Sequence, residues 1–222
     1  NSYFYELLSL DGYQKILNDA IWRIQNKREM RLVEVGYDYT SIPQTVAYPI
    51  DFLPLQILYH RGVIHLSGIV KGKNKILAIA LNQLKKYSLT NNMFDNRDLL
   101  AALRREMDNR FGITDNMNNE IYDIEIEFSE LTGEFVKHHF WHHSQNFSKL
   151  STGNYVMTLR CGINRELVGW IFQWMSNARV IKPESLQELV KEKHREILDN
   201  YESDMPLSSN NSFMNTEALD KN

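Results

Sequence analysis

Four histidines stand close together in the second half of the chain, in two pairs with helical spacing. His138 and His142 are four residues apart, and so are His139 and His143. On a helix each pair would share one face, and two histidines so placed can bind zinc. However, no glutamate stands between them as in HExxH sites, and Cys161 is the only thiol in the chain. We therefore expect these histidines to serve in packing, and we predict no metal and no other cofactor.

Cationic side chains without any acid occupy the segment from His60 to Thr90. Clusters of this kind bind phosphate-bearing ligands, and the binding weakens as the salt concentration rises. We expect this segment to bind an anionic ligand, most simply a nucleotide or a single-stranded nucleic acid. The alternative is a solvated lysine-rich edge that keeps strands from aggregating. The cationic residues expected at the site are Arg61, Lys71, Lys73 and Lys75.

Acidic residues dominate from Asp95 to Glu134, so the sign of the charge reverses along the chain. A basic segment followed by an acidic one indicates two modules with different partners. Three of these carboxylates, Asp123, Glu125 and Glu127, alternate with apolar residues, as on the solvent face of a strand. We do not expect them to form an acid–base pair.

Sequence motifs of the common enzyme classes are absent from the chain. There is no GxSxG nucleophile elbow, no phosphate-binding loop of the GxxxxGK type and no dinucleotide-binding glycine pattern. We therefore predict that the protein is not an enzyme.

Composition and length are those of an ordinary globular chain. The 222 residues are 43% hydrophobic and 24% charged, with a net charge of −3, so a core can form without disulfide or metal. The apolar runs are too short to cross a bilayer, and no secretory signal opens the chain. A single cysteine agrees with a reducing compartment. We expect a cytoplasmic protein that does not associate with membranes.

The first half of the chain predicts a small barrel of strands with one helix. Apolar residues at helical spacing predict an amphipathic helix from Tyr13 to Asn26, with Asp11 as its N-cap. A strand pattern begins at Arg31, and further strands are expected at Val63 to Val70 and Lys75 to Leu81. Several short strands joined by tight turns favour a small β-barrel, in which a helix can cap an open end.

The second half has the order strand, helix, two strands, helix, strand, with a helix added at the end. A helix from Asn96 to Arg110 and the polar stretch TDNMNNE are expected to connect it to the first half. The order is that of a ferredoxin-like α+β domain. Serine, asparagine and acids predominate after Tyr201, which predicts a disordered tail. The expected elements are strands at Ile121 to Phe128, Asn146 to Leu150, Asn154 to Arg160 and Ala178 to Ile181, and helices at Glu130 to His142, Arg165 to Ser176 and Pro183 to Tyr201.

Residues Ile16 to Phe94 resemble the WYL domain of bacterial transcriptional regulators. The resemblance rests on the order of the elements, on a tyrosine that ends a strand (Tyr39) and on a proline before the next strand (Pro49). Where the family has tryptophan, tyrosine and leucine, this chain has the tripeptide Ile64-His65-Leu66. Where the family ends a strand with leucine, an acid and arginine, it has Leu81-Asn82-Gln83.

Residues Tyr122 to Tyr201 are similar to the WCX extension that follows WYL domains. The similarity is carried by HHSQ, from His142 to Gln145, by ELVGWIFQWMSNARVIKPESLQELV and by the closing helix. The WCX resemblance implies dimerisation, and we expect the aromatic segment Trp170 to Trp174 to lie at the core or at the dimer interface.

The two resemblances together imply a Sm-like barrel followed by a ferredoxin-like domain. They also imply a winged helix upstream of Asn1 that binds operator DNA, and a nucleotide-like or nucleic-acid ligand in the WYL barrel. Period-two geometry turns His65 away from Ile64 and Leu66, and by the resemblance it takes the ligand-contacting position of the family's tyrosine. The residues expected at the ligand by resemblance are Tyr39, His65 and Gln83.

The predicted organisation follows from these resemblances. Residues 1–12 are a linker from an upstream DNA-binding domain, 13–95 the WYL barrel, 96–112 a connecting helix, 113–202 the WCX dimerisation domain and 203–222 a disordered tail. The predicted function is the ligand-sensing and dimerisation region of a homodimeric transcriptional regulator. The alternative is a dimerisation scaffold whose WYL site no longer binds a ligand.

Overall fold

A computed structural model describes residues 11–36, 47–73 and 75–203, without the side chains of the first two of them. The side chain of Asp11, which is the expected N-cap, lies outside what it describes, and so do the strand end at Tyr39, the upstream linker and the expected tail beyond residue 203. The chain divides into two compact units, Asn1–Met107 and Asp108–Asn222. Each contains an antiparallel sheet with helices, so the expected α+β class is confirmed. No helix in the described ranges is long and apolar enough to cross a membrane.

In its described residues, the first unit contains a helix, five antiparallel strands and a second helix. The strands lie in the order β4-β3-β2-β1-β5. A short 3-10 helix, Leu81–Gln83, separates β4 from β5. The elements are α1 (Asp11–Gln25), β1 (Arg28–Val35), β2 (Ile50–His60), β3 (Val63–Val70), β4 (Lys75–Ala80), β5 (Leu84–Met93) and α2 (Arg97–Asp108).

Both faces of this sheet are covered by apolar residues of a helix. On one face, Ala20 of α1 belongs to a buried cluster with Leu66 of β3. On the other, Leu103 of α2 clusters with Ile69 of β3 and Ile76 of β4. Leu66 and Ile69 are three residues apart on one strand, so their side chains point to opposite faces. The helix expected to act as a connector therefore also forms part of the first core.

The sheet differs from the expected barrel in three respects. β2 runs through Pro54 at a shift of register, where a proline without an N–H is tolerated. β5 was not expected, because its residues are mostly exposed and do not alternate; pairing with β1 holds it in the sheet. Among the described residues β4 and β5 stay at the two ends of the sheet, and the expected closed barrel is not seen.

The second unit has the expected succession of strands and helices. Its four strands pair in antiparallel fashion in the order β7-β8-β6-β9. The elements are β6 (Tyr122–Phe128), α3 (Glu130–Lys137), β7 (Asn146–Lys149), β8 (Tyr155–Cys161), α4 (Arg165–Phe172), β9 (Ala178–Lys182) and α5 (Glu184–Glu202).

Two helices of the second unit end earlier than the sequence pattern indicates. α3 ends at Lys137 rather than His142, and the amide of His139 donates to Val136 three residues back, which tightens the last turn. α4 ends at Phe172 rather than Ser176, because Met175 takes a positive φ of 52°. A non-glycine residue with positive φ cannot continue a right-handed helix.

Candidate functional site

His65 lies in β3, on the same face of the sheet as Ile69, which packs against Leu103 of α2. It is opposite Leu58 of β2 and Ala80 of β4. The strand alternation turns it away from Leu66, as expected, yet the residue is only 2% exposed. Its Nδ1 lies 3.2 Å from the carbonyl of Val63, and since a carbonyl only accepts, Nδ1 carries the proton. The ring is therefore a buried group in this conformation.

Ser67 stands two residues after His65 on the same face and was not indicated by the sequence. The residue is fully buried, and its Oγ has no hydrogen-bond partner among the described residues. Its cross-strand neighbours are Gln56 and the small Ala78. An unpaired buried hydroxyl costs about 1–3 kcal/mol, and such groups are uncommon in folded proteins. Ser67 therefore belongs with His65 as a candidate ligand contact.

The cationic residues expected to surround one ligand lie at two ends of β3. Arg61 occupies the turn between β2 and β3, where its φ of 48° and the φ of 83° at Gly62 fit a tight hairpin. Lys71 and Lys73 lie in the next turn, and Lys75 begins β4. A strand of eight residues such as β3 is roughly 25 Å long at about 3.3 Å per residue. The three lysines form one group, and Arg61 stands apart from it.

Lys71 already has an anionic partner within the first unit. Its Nζ lies 2.6 Å from Glu29 Oε1, and Asn92 donates to the other oxygen of Glu29 at 3.1 Å. Glu29 is only 2% exposed, and its hydrogen bond raises the pKa of the Lys71 ammonium group. A buried carboxylate needs such partners. Lys71 is therefore already bound to Glu29, and the exposed Lys73 is the better candidate for binding an external anion.

Gln83 lies in the 3-10 helix, beside the end of β1. Its carbonyl accepts a hydrogen bond of 2.7 Å from the amide of Gly36. Its side chain occupies the space that a Cβ at Gly36 would need. Tyr39 follows three residues after Gly36 and lies outside the described residues. The structure thus brings Gln83 to the start of the segment that carries Tyr39.

The histidine pairs of the second unit do not share a helix face, because α3 ends at Lys137. His142 is buried and its Nε2 donates to the carbonyl of Asp108 at 3.0 Å, while Nδ1 lies 2.8 Å from Ser144 Oγ. His143 also donates to Asp108, at 2.8 Å. In the part of the chain that the structure describes, no three potential ligands converge on a metal position. Within the second unit, these histidines hold Asp108 against the corner before β7.

The buried His142 predicts a pH dependence of stability. Burial, and the charge of the neighbouring His143, lower the pKa of His142 below its ordinary value of 6.5. The neutral ring is thus favoured in the folded state, and protonation favours unfolding. Stability is lost as the pH falls from about 6.5 to the folded pKa, and the loss then stays constant. We expect the unfolding free energy of the second unit, from urea titrations, to fall between pH 7 and pH 5.

The His142→Asn variant should show a weaker dependence over this range, because it removes the titrating ring. His138→Asn is the matched control, since His138 is exposed. The lowered carboxylate pKa values, such as that of Glu134 at about 2, act only at more acidic pH. If wild type and His142→Asn show the same slope, His142 is not the group responsible.

Cys161 lies in the core of the second unit. Burial raises the pKa of its thiol to about 12. The thiolate is the reactive form of cysteine, so this side chain is a packing residue at neutral pH.

A buried polar network, not indicated by the sequence, holds the segment that follows α2. Glu166, 1% exposed, accepts hydrogen bonds through Oε2 from the amides of Ile113 at 2.6 Å and Thr114 at 2.9 Å. Arg110 and Asp115 form a buried ion pair of 2.7 Å in the same segment. Every charge is met by a partner, as burial requires. The network has a structural role: it fixes residues 110–115 on the N-terminus of α4.

Comparison with known proteins gives one match to a family model. Residues 120–198 match the WCX domain. This segment covers β6 to most of α5, which is the part of the chain expected to be the WCX extension. No curated protein is similar in sequence to this chain at a significant level.

Two solved structures align with this chain. A CRISPR Cas-related protein aligns with a TM-score of 0.55 and 13% identity, over 89% of this chain and 54% of its own. Proteasome accessory factor B/C (PafBC) of Arthrobacter aurescens aligns with a TM-score of 0.37 and 13% identity, over 87% of this chain and 28% of its own. The chain thus spans about half of the first structure and less of the second.

Proposed function

We propose that this chain is the ligand-sensing and dimerisation region of a cytoplasmic transcriptional regulator, with a sensing role and no catalytic one. The observation that carries the proposal is the WCX match over residues 120–198. By the resemblance described above, WCX modules follow ligand-binding WYL domains in such regulators. A ligand would act by favouring one arrangement of the protomers, and hence of an attached DNA-binding domain.

The strand orders support the finer architecture that the proposal needs. A helix followed by five strands in the order β4-β3-β2-β1-β5, with a 3-10 turn before β5, suits a Sm-like first unit. The order β7-β8-β6-β9, with α3 and α4 as crossovers, suits a ferredoxin-like second unit.

The ligand that we propose is a nucleotide or a single-stranded nucleic acid bound at β3. The unpaired hydroxyl of Ser67 next to His65 offers buried polar groups to a base. Lys73, with Lys71 and Lys75 beside it, offers charge to phosphates. A side-chain movement must open the site, because His65 is buried.

Fluorescence anisotropy with labelled single-stranded oligonucleotides tests the ligand. If three lysines contact phosphates, the slope of log K against log salt is about −2, so a fourfold rise in salt weakens binding roughly twentyfold. Lys73→Glu should weaken binding at low salt, and Ser67→Ala should weaken it without changing the salt slope. The matched control is Lys15→Glu, which changes an exposed lysine of α1. If no oligonucleotide binds at low salt and no nucleotide of a panel raises the melting temperature, the proposed ligand is wrong.

The alternative is a scaffold that binds no ligand, and three observations support it. His65 is buried, Glu29 already pairs with Lys71, and Arg61 stands at the other end of β3. On this alternative neither oligonucleotides nor nucleotides raise the melting temperature of the first unit, while the protein still dimerises.

For the dimer, we propose an interface on α3. Trp170 is 2% exposed and belongs to the core, which is one of the two positions expected for it, so it is not available to a partner. Leu131 and Phe135 are four residues apart on α3 and are 86% and 52% exposed, and Phe135 packs on Trp174 at 5.9 Å. Neighbouring exposed apolar side chains of this kind mark interaction surfaces.

Light scattering tests this interface. The wild type should have the mass of a dimer, and Phe135→Glu should shift it to a monomer, because a charge is buried in the interface. Leu198→Glu serves as control, since Leu198 is an exposed apolar residue of α5. A monomeric wild type at high concentration, or a dimer unaffected by Phe135→Glu, would rule this surface out.

A further inference from the structure

A groove in the second unit lies between β9 and α5, and the ligand proposed for the first unit does not use it. It encloses about 640 Å³, a volume typical of specific binding sites. Ala178, Arg179, Val180 and Ile181 of β9 line it on one side. Side chains of α5 line it on the other.

The lining shows that the groove follows the edge of β9. Successive side chains of a strand point to opposite faces of the sheet, so four consecutive lining residues place the groove along the edge, where the main chain is accessible. Among the described residues, β9 is an end strand that pairs only with β6. At Ile181 the outer edge is already used, because Gln187 of α5 donates to its carbonyl at 2.5 Å.

Ala178 and Val180 present their main-chain groups to the outer side of β9. The amide of Ser129, directly after β6, donates to the carbonyl of Asn177 at 3.0 Å, so Asn177 faces β6. The N–H and C=O of one strand residue point to the same side, and this side alternates along the strand. The main chains of Ala178 and Val180 therefore face away from β6, whereas that of Arg179 faces it. An edge with outward N–H and C=O groups is the template on which an additional strand pairs.

The other wall of the groove is cationic. Lys191, His194 and Arg195 of α5 line it at spacings of three and four residues, on one face of the helix, and no acidic side chain lines it. Arg195 makes no hydrogen bond or ion pair with any described residue, whereas Lys191 pairs with Glu188 at 2.6 Å. His194 is held by its Nδ1, which donates to Val190 at 2.7 Å, and by Phe172, 4.5 Å from its ring. The groove thus offers positive charge next to an accessible strand edge.

We propose that this groove binds an extended, acidic segment of a partner protein, which adds to the sheet as a strand next to β9. The main chain of the segment pairs with Ala178 and Val180. Its acidic side chains, which fall on one side at alternate positions, meet Lys191 and Arg195. The apolar side chains between them meet Ile171 and Val190 in the groove.

A labelled peptide tests the proposal on the full chain. The probe is about eight residues long, a length ordinary for a strand, and alternates glutamate with valine. We expect saturable binding by fluorescence anisotropy that weakens with salt, and a loss of about tenfold for Arg195→Glu. Arg160→Glu is the matched control, because Arg160 is an exposed arginine of β8 outside the groove. A peptide with lysine in place of glutamate should not bind.

The strand-addition geometry has its own variant. Val180→Pro removes an outward N–H that the β6–β9 ladder does not use, and an edge strand tolerates proline there. Val180→Ala also shortens the side chain but keeps the N–H. Val180→Pro should therefore bind the probe more weakly than Val180→Ala, while both keep the wild-type circular dichroism spectrum.

Three results would overturn the proposal. They are absence of peptide binding at low salt, binding that Arg195→Glu leaves unchanged, and displacement of the peptide by single-stranded oligo(dT) that depends on Arg195, which would make the groove a nucleic-acid site. Because none involves residues of β3, the outcome is independent of the ligand proposed for the first unit.

Discussion

Replacing Glu166 by alanine is expected to destabilise the second unit by about 2–6 kcal/mol. The amides of Ile113 and Thr114 both donate to this one buried carboxylate, and each would be left without a partner at a cost of about 1–3 kcal/mol. Urea titrations monitored by tryptophan fluorescence measure the loss. Three of the four tryptophans lie in the second unit, at positions 141, 170 and 174, so the signal reports mainly on it.

Two further variants separate the hydrogen bonds from the charge. Glu166→Gln keeps an oxygen that accepts from both amides, so it should cost less than alanine. Glu192→Ala removes an exposed glutamate of α5 and should change the stability by no more than about 0.5 kcal/mol. Equal effects of Glu166→Ala and Glu192→Ala would show that the buried network does not hold the segment.

Replacing Gly68 by alanine is expected to cost the first unit about 3 kcal/mol or more. A Cβ at this position overlaps the carbonyl oxygen of Leu53 on the neighbouring strand and lies within 2.7 Å of the Phe52 ring. The ring can move, but the carbonyl belongs to β2, so the two strands would have to separate. Inserting a group into a well-packed core costs about 1–3 kcal/mol, and a backbone clash belongs at the upper end or beyond.

Hydrogen exchange of the amides in β2 and β3 measures this effect within the first unit. Gly72→Ala is the matched control: Gly72 has a φ of 76° but nothing within 4 Å of an added Cβ. Its cost should be only that of the left-handed conformation, about 1–2 kcal/mol. Protection that Gly68→Ala lowers no further than Gly72→Ala would mean that the β2–β3 spacing adapts.

Comparing Gly68→Ala with Ser67→Ala separates an effect on the fold from an effect on ligand binding. Gly68 is the residue after Ser67 and lies on the opposite face of β3. The Gly68→Ala variant should therefore lose any oligonucleotide binding together with the fold of its sheet. Ser67→Ala should lose binding alone, because it removes a hydroxyl that has no partner in the described structure.

Periodicity was sufficient to predict the elements whose residues face a single core. Alternation in YDIEIEF predicted β6, and Ile124, Ile126 and Phe128 are buried on one face as expected. The two helix ends that were wrong were decided by main-chain geometry, at His139 and at Met175. The helical spacing of apolar residues continues past these helix ends, so the spacing alone does not reveal where the helices stop.

β5 shows why the rest of the first sheet was not predicted. Its exposed polar side chains carry no alternation, and it is a strand because β1 supplies its hydrogen bonds. Likewise TDNMNNE has the composition of a linker, yet Thr114 and Asp115 are 3% and 8% exposed. Their partners, Glu166 and Arg110, make this polar segment part of the second unit.

The sequence by itself determined the α+β class, most element positions, the direction of His65 along its strand and the segment that matches the WCX family model. Only the tertiary structure decided that His65 is buried, that Lys71 is tied to Glu29, 42 residues away, that Ser67 has an unpaired hydroxyl and that β9 borders a cationic groove. The physical reason is that periodicity is a property of one element and its own core. Burial of a polar group and neutralisation of a charge depend on which distant residues the fold brings against it.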